Sequence, residues 1–394
     1  ELSGKFEGLV SDFKTKNFRI NLDNNTSFYG DISMKGIPDT ENATFNAKIN
    51  QFVTNERELN NIDIPPFTKN LKLKIPKEIE GFEHISLNGN LSGKFDDLKG
   101  KLIASTSQGN LEIDARYWNN NNTTYVDGKV KAQEFNLGVF VKNNDLKELD
   151  ADLETKIKWN SKTGVDLKVK GELPKISYKG YKYSNVALDG DITKKSFVGK
   201  ASINDKNGKL KFDGKIELDK KVPLFNFKAQ IEKLNLAKLN LTTDSINRII
   251  SAQIEINGKG NTLDNSLGNI KIKDINYVQE GEKYSNNEIN IASSEKNGFR
   301  IVEVLSDVSN VKFKGKFDVS ELPFTFELMA KNMFPTVFGR KDSNELVNQN
   351  FEFDVLIKNY SPIYKLFTPE FDVADNTTIT GEFKSNSQLF SVFV

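Results

Sequence analysis

Apolar and polar residues alternate with a period of two in many separate segments of this chain. In 149–159, apolar residues other than Thr155 occupy the odd positions, and charged residues occupy the even ones. The same alternation recurs in 165–173, 210–218, 225–231, 254–258, 311–319, 324–328 and 351–355. Because successive side chains of a strand point to opposite faces, each segment predicts a strand with one apolar face and one charged face.

Stretches rich in asparagine and glycine separate these segments, as in 118–122 and 204–208. Such residues tolerate the turn conformations that strands cannot adopt. With about 10–15 residues for a strand and its turn, the chain would hold on the order of 25–30 strands. We therefore expect an all-β, antiparallel sheet that is elongated, about 120–145 Å at ~4.8 Å per strand.

A five-residue motif recurs in which a glycine stands in the apolar phase between two polar neighbours. Its glycines are Gly4, Gly93, Gly128, Gly190, Gly214, Gly315 and Gly381. A glycine inside a strand marks a bend, a bulge or the close approach of another group. Two interpretations follow, namely curvature of the sheet, or room on its apolar face for something other than a side chain. The irregular spacing of the motifs argues against a solenoid or propeller, whose repeats keep a fixed period.

Helical patterns are few and short. We predict one continuous β-segment over 1–394, with short helical or irregular insertions near 239–250, 322–338 and 361–371. Pro323 and Pro335 bracket the second of these insertions, which fits either a short helix or a strand followed by a loop.

A sheet with so many one-sided strands needs something to cover its apolar face, and the sequence predicts no helical layer for this purpose. Three arrangements are possible: two sheets packed as a sandwich, a barrel that turns its apolar face to lipid, or one long sheet curled over itself. The phenylalanines are scattered along the strands, whereas a transmembrane barrel concentrates aromatic residues in two girdles. This distribution argues against the barrel, and it leaves the sandwich and the curled sheet open.

Composition excludes several classes of function. The chain has no cysteine and one histidine, which excludes disulfide scaffolds, thiolate sites and multi-histidine metal centres. The 55 basic and 54 acidic side chains give no basic excess for binding nucleic acid. No Gly-Lys pair is followed by Ser or Thr, so a Walker-type phosphate loop is absent from the sequence.

Catalytic and metal-binding candidates are equally scarce. His84 fits an ordinary turn residue, because no motif supplies it with a partner for acid–base chemistry. Asp150, Asp152 and Glu154 share one strand face and lack the glycine of a calcium loop, so we assign them to solvent. The longest apolar run has three residues, far short of the ~20 of a membrane-spanning helix. We predict no enzyme activity, no cofactor and no metal site.

Several longer sequence segments of the chain resemble the TamB family, the AsmA-like proteins of the Gram-negative periplasm, in the form found in Bacteroidota. They include LSGKF at 2–6, GDISMKGIPD at 30–39, IEING at 254–258 and LGNIKI at 267–272. The resemblance implies a β-rich body folded over into a hydrophobic groove, the β-taco. It also implies that this chain is a piece of that body, attached to the inner membrane through a segment that this chain lacks.

The function implied by the resemblance is a lipid-transfer bridge. Such a protein carries phospholipid acyl chains between the inner and outer membranes and supports outer-membrane biogenesis with an Omp85-type partner. The partners expected here are thus a phospholipid or another amphiphile and that outer-membrane protein, and no nucleic acid. An alternative is a structural scaffold or chaperone for outer-membrane protein assembly, and a further alternative is the transmembrane barrel.

The apolar-phase residues of the predicted strands are our candidates for the lining of the groove. They are Leu111, Ile113, Leu167, Val169, Phe212, Ile216, Phe225, Phe227, Ile270, Ile272, Phe313 and Phe317. Their neighbours on the opposite face, such as Lys168, Lys170, Lys271 and Lys314, are expected to face solvent.

Overall fold

The computed structural model describes residues 1–22, 25–39, 41–61, 81–218, 220–333, 336, 349–360, 373–385 and 389–394. Within them the chain forms 22 strands and three short helices. The strands are β1 Leu2–Leu9, β2 Asp12–Leu22, β3 Thr26–Lys35, β4 Thr44–Thr54, β5 Ile85–Lys94, β6 Asp97–Thr106, β7 Gly109–Asn120, β8 Thr123–Asn136, β9 Leu146–Asn160, β10 Gly164–Tyr178, β11 Tyr181–Thr193, β12 Ser196–Asp205, β13 Gly208–Glu217, β14 Leu224–Asn235, β15 Arg248–Lys259, β16 Leu267–Gln279, β17 Glu282–Lys296, β18 Phe299–Ser306, β19 Ser309–Lys316, β20 Asn350–Ile357, β21 Thr377–Lys384 and β22 Leu389–Phe393. The helices are α1 Glu56–Asn61, α2 Leu137–Val141 and α3 Leu322–Met333.

All 22 strands belong to one sheet. Strands that follow one another in the chain pair in antiparallel orientation, as β7 does with β8 and β14 with β15. Within the described residues, β1 pairs only with β2 and β22 only with β21, so the sheet is open. The prediction of an all-β antiparallel sheet is confirmed, and its curling into a groove stays a prediction.

The chain divides into two compact units. The first comprises 1–194 and 199–206, and the second comprises 195–198 and 207–394, so β12 contributes residues to both. The prediction of one continuous groove over the whole chain remains a prediction.

The period-two pattern places apolar and polar side chains on opposite faces of the sheet. On β14, Phe225, Phe227 and Ala229 are half-buried, whereas the intervening Asn226 and Lys228 are exposed. Residues directly opposite each other on paired strands point to the same face, so each strand extends the apolar face of its neighbours. The faces expected from the sequence are therefore continuous within each unit.

Bulges interrupt several strands, and side chains of the next strand accept hydrogen bonds from the bulged backbone. The backbone N–H groups of Asn17, Glu134 and Lys233 donate to side-chain oxygens of Asp31, Asp150 and Ser251 at 2.9, 2.7 and 2.9 Å. A bulge adds one residue to a strand, bends it and increases its twist. On β8, Ala132 and Phe135 pack in one apolar cluster although they are three residues apart, because the bulge lies between them.

The motif glycines are needed because neighbouring strands come close to them. Gly214 has φ +148°, and a Cβ atom there would lie 2.4 Å from both the Asn226 carbonyl oxygen and the Phe227 Cα. The backbone of β14 therefore occupies the space beside Gly214, which supports close approach and curvature rather than room for another molecule.

Replacing Gly214 with alanine should destabilise the second unit by more than about 2 kcal/mol, because neither φ nor the facing backbone can accommodate Cβ. Urea denaturation measures this loss. A matched control is Gly100→Ala, since the atom nearest to a Cβ there is the end of the Leu91 side chain at 2.8 Å. Equal stability of the two variants would contradict the steric argument.

Three predicted segments differ from the structure or lie partly or wholly outside the described residues. The alternating segment 324–328 was predicted as a strand, and this is wrong, because it lies within α3. In place of the insertion predicted near 239–250, the structure has an irregular connection with turns over 236–247. Residues 248–250 already belong to β15, which begins at Arg248. The predicted insertion at 361–371 lies outside the described residues.

Candidate functional site

The apolar face of the second unit contains an unbroken row of residues that lie directly opposite one another. From β14 to β21 the row runs through Phe227, Ile256, Ile270, Ile291, Val304, Val311, Val355 and Ile379. All eight side chains are half-buried. Val355 and Ile379 pack against a buried cluster that includes Leu322 and Met329 of α3. A second layer of secondary structure would bury the rest of the row, so the partial exposure from Phe227 to Val311 leaves apolar surface open to a ligand.

Two of the predicted lining residues contact each other at the start of this face. The ring centroids of Phe212 on β13 and Phe227 on β14 lie 5.1 Å apart, and Phe197 lies 5.6 Å from Phe212. Ile216 lies opposite Phe225 on the same two strands. On β16, Ile270 and Ile272 lie opposite Ile256 and Ile254. The second unit therefore brings together six predicted residues on β13, β14 and β16.

The other two predicted residues of this unit lie beneath α3. Phe317 is buried in a cluster with Leu322 and Met329 of the helix, and Phe313 packs against this cluster. The remaining buried members of the cluster are Phe351, Phe353 and Phe383. Phe313 and Phe317 therefore line a helix-covered part of the apolar face rather than an open part.

The first unit holds the remaining four predicted residues on one face. Ile113 of β7 lies opposite Leu102 and Val130, and Leu111 packs against a cluster that contains Phe135. On β10, Leu167 lies opposite Ile157 and Ile192, and Val169 is buried opposite Thr155 and Gly190. Of the twelve candidates, only Val169 and Phe317 are buried, and the other ten are half-buried.

The opposite face carries cross-strand ion pairs. In the first unit, lysine Nζ atoms lie close to carboxylate oxygens of the neighbouring strand. The pairs are Lys101–Asp114 (2.9 Å), Lys129–Glu154 (3.1 Å), Lys170–Asp189 (3.4 Å) and Lys168–Asp191 (3.6 Å). In the second unit, Lys271 pairs with Glu288 at 2.9 Å, and Lys314 is exposed. Exposed pairs of this kind contribute little to stability, but opposite charges on neighbouring strands favour the observed register.

Several carboxylates of this charged face are held in their ionised form. The hydrogen bonds from Arg116 lower the pKa of Asp97, and those from Lys182 lower the pKa of Glu148. Hydrogen bonds from Asn290 and then Lys271 lower the pKa of Glu288.

We expect stability to fall on acidification. A carboxylate whose pKa is lower in the folded state stabilises that state above its unfolded pKa of about 4, and this contribution is lost as pH falls through the folded pKa. Urea denaturation at pH 7 and at successive values below pH 4 measures the loss. Asp97→Asn should make the dependence on pH shallower, and an unchanged pH profile would contradict the assignment.

The described residues contain no group of three or more acidic or histidine side chains placed to hold a metal ion. Among the described helices, none combines the length and the apolar character that a membrane crossing requires.

Comparison with known proteins gives no match. No protein family matches the sequence, no curated protein is similar to it, and no solved structure matches the fold. The resemblance to the TamB family therefore rests on short sequence segments alone and stays a prediction.

The candidate lining omitted residues that the register places in the same row. Ile256, Ile291 and Val304 stand in the apolar phase of their strands, so the period-two pattern could have identified them. It could not have placed Arg300, which is 3% exposed and lies two residues before the apolar-face residue Val302 on β18. A buried arginine there depends on carbonyl groups from a distant turn.

Proposed function

We propose that the apolar face of this protein binds the acyl chains of phospholipids or similar amphiphiles and carries them between the inner and outer membranes. In this proposal the protein is a periplasmic lipid-transfer bridge of the TamB, AsmA-like type, with the sheet curled into a groove around its ligand. It needs no catalytic residue and no cofactor.

The observation that carries the proposal is the half-buried apolar row from Phe227 to Val311 in the second unit. Acyl chains can cover such a row without hydrogen bonds, because their transfer from water gains about 0.8 kcal/mol for each buried methylene group. The charged groups on the other face keep the protein in water while the apolar face holds lipid.

The proposed location and partner follow from the family resemblance. The protein would work in the periplasm, attached to the inner membrane by a segment outside this chain, and would support outer-membrane biogenesis with an Omp85-type partner. In this proposal, parts of the protein beyond the 394 residues take part in docking that partner.

Mass spectrometry of organic extracts tests the binding step directly. Protein purified without detergent should carry phospholipid in amounts comparable to the protein itself, and washing with delipidating resin should remove it. A purified, folded chain that contains no lipid and takes up none from vesicles would contradict the proposal.

A second candidate function is a scaffold or chaperone for outer-membrane protein strands, and the free edge at β1 favours it. All eight residues of β1 are exposed, and Leu2 and Phe6 are 63% and 54% exposed. Within the described residues β1 pairs only with β2, and a strand with one unpaired edge can add a further strand by backbone hydrogen bonds. Crosslinking from β1 to unfolded outer-membrane protein, with no lipid in the extracts, would favour this function.

A further inference from the structure

Helix α3 presents an apolar stripe to the face that we propose as the ligand site. Leu322, Phe326 and Met329 follow the i, i+4, i+7 spacing of one helix face, and Leu322 and Met329 are buried. The Phe326 ring lies 5.4 Å from the Phe353 ring and 6.1 Å from the Phe313 ring. The helix thus fills the apolar face over the phenylalanines of β19 and β20.

The start of α3 is held by hydrogen bonds from a distant turn. The short 3-10 turn Val319–Glu321 leads directly into the helix. The Ser320 backbone N–H and hydroxyl donate to the two carboxylate oxygens of Asp264 at 2.9 and 2.7 Å. These bonds lower the pKa of Asp264, so its carboxylate stays ionised near neutral pH.

Arg300 holds the turn that carries Asp264. Its guanidinium donates to the Leu263 carbonyl oxygen at 3.1 Å and also to the carbonyl oxygen of Asp264. A longer contact of 3.4 Å joins it to Glu295. We call Asp264, Arg300 and Ser320 the clasp, because together they connect the β15–β16 turn to the start of α3.

We propose that α3 is an internal competitor of the amphiphile, and that opening the clasp releases the helix so that acyl chains can occupy β18 to β21. This inference rests on the proposed function and adds its regulation. The row from Phe227 continues through Val304 and Val311 to Val355, so open and covered parts of the face are contiguous within the second unit. Acyl chains and the α3 stripe are both apolar, and they cannot occupy the surface over Phe313 and Phe353 at the same time.

The free energies of the covered and uncovered states favour a reversible contact between α3 and the sheet. Lifting α3 exposes its stripe and the phenylalanines beneath it, and acyl chains would restore burial only on the sheet side. Within the clasp, the hydrogen bonds between Ser320 and Asp264 are exposed, and exposed bonds of this kind contribute little to stability. When a helix covers a binding site for most of the time, the apparent affinity of the ligand is its intrinsic affinity multiplied by the fraction of time that the site is uncovered. Release of α3 should therefore tighten binding.

The absence of cysteine from the chain allows a single protein to test both states. In the double variant Asp264→Cys, Ser320→Cys, oxidation replaces the hydrogen bonds between Ser320 and the Asp264 carboxylate by a covalent link, and reduction leaves neither. Binding is measured by titration with pyrene-labelled phosphatidylcholine, and helix release by hydrogen exchange of α3. The reduced form should bind about threefold or more tightly than the oxidised form, with faster exchange in α3.

Two further variants separate the effect of the helix from that of the new thiols. Phe326→Ser weakens the contact with Phe353 without altering the sheet and should tighten binding in the same direction. Glu327→Gln changes the polar side of the helix, where Glu327 contacts Lys331, and should leave binding unchanged.

The outcomes distinguish this inference from the proposed function. Equal lipid affinity of the oxidised, reduced and Phe326→Ser proteins would overturn the competition while leaving lipid binding intact. No binding of the probe by any form, wild type included, would overturn the proposed function and the competition with it. Tighter binding in the reduced and Phe326→Ser proteins supports both.

Discussion

Replacing Phe227 with glutamate is expected to reduce the phospholipid bound to the purified protein by at least about tenfold, because an unpaired charge against acyl chains is costly. Phe227 is half-buried in the open part of the apolar row, opposite Ile256. Its position lets the glutamate reach water when no lipid is bound, so the variant should fold. Mass spectrometry of extracts measures the lipid, and circular dichroism checks the fold.

Asn226→Glu is the matched control for this prediction. It places the same charge one residue away on the opposite, exposed face of β14, where Lys215 lies directly across on β13. This variant should bind lipid like the wild type. Equal lipid content in folded Phe227→Glu and Asn226→Glu proteins would exclude the apolar face as the site.

The same pair of variants separates the two candidate functions in the cell. For a lipid-transfer bridge, Phe227→Glu should fail to restore outer-membrane integrity in a strain that lacks the protein, although it is folded and abundant. For a scaffold that acts through the β1 edge, the substitution should have almost no effect.

Phe313 is less suitable for this experiment than Phe227. In the proposed function a glutamate at Phe313 would oppose acyl chains only after α3 is released. Phe313 also packs against the cluster beneath α3, with its ring 6.1 Å from that of Phe326. The substitution would therefore disturb helix packing as well as ligand binding, and its effect on function would have two causes.

Replacing Phe353 with alanine should lower the free energy of unfolding of the second unit by about 3–5 kcal/mol, the range for truncating a buried phenylalanine. Phe353 is 4% exposed, and its ring lies 5.4 Å from Phe326 and 6.2 Å from Phe351. The cavity would lie between α3 and the sheet, so α3 should also exchange its amide hydrogens faster. Urea denaturation and hydrogen exchange measure the two effects.

Phe225→Ala provides the comparison for this loss. Phe225 is half-buried on β14 opposite Gly258, so truncation removes less buried area and leaves no enclosed cavity. Its cost should be clearly smaller than that of Phe353→Ala. Similar losses at both positions would mean that the apolar face around Phe225 is covered as completely as the face beneath α3.

Much of the fold could be predicted from the sequence because side-chain direction in a strand is a local property. The alternation at 149–159 and 225–231 predicted strands that the structure contains as β9 and β14. The expected strand count exceeds the 22 described strands in part because β9, β10 and β17 each have 15 residues, longer than the estimate assumed.

The candidate site could be predicted only in part. The period-two pattern identifies which residues share a face, and it therefore placed Phe212, Phe227 and Ile270 on one apolar surface. It does not determine whether that surface is open or covered, and the structure covers Phe313 and Phe317 with α3.

The sequence by itself determined the all-β class and the two chemically different faces, since both follow from a period of two along each strand. Only the tertiary structure decided that 324–328, which also alternates, is helical, because the stripe of Leu322, Phe326 and Met329 gains its burial from strands near Phe351. The clasp depends likewise on residues 56 positions apart, Asp264 and Ser320. Contacts between such distant residues leave no periodic signal in the sequence, so only the folded chain reveals them.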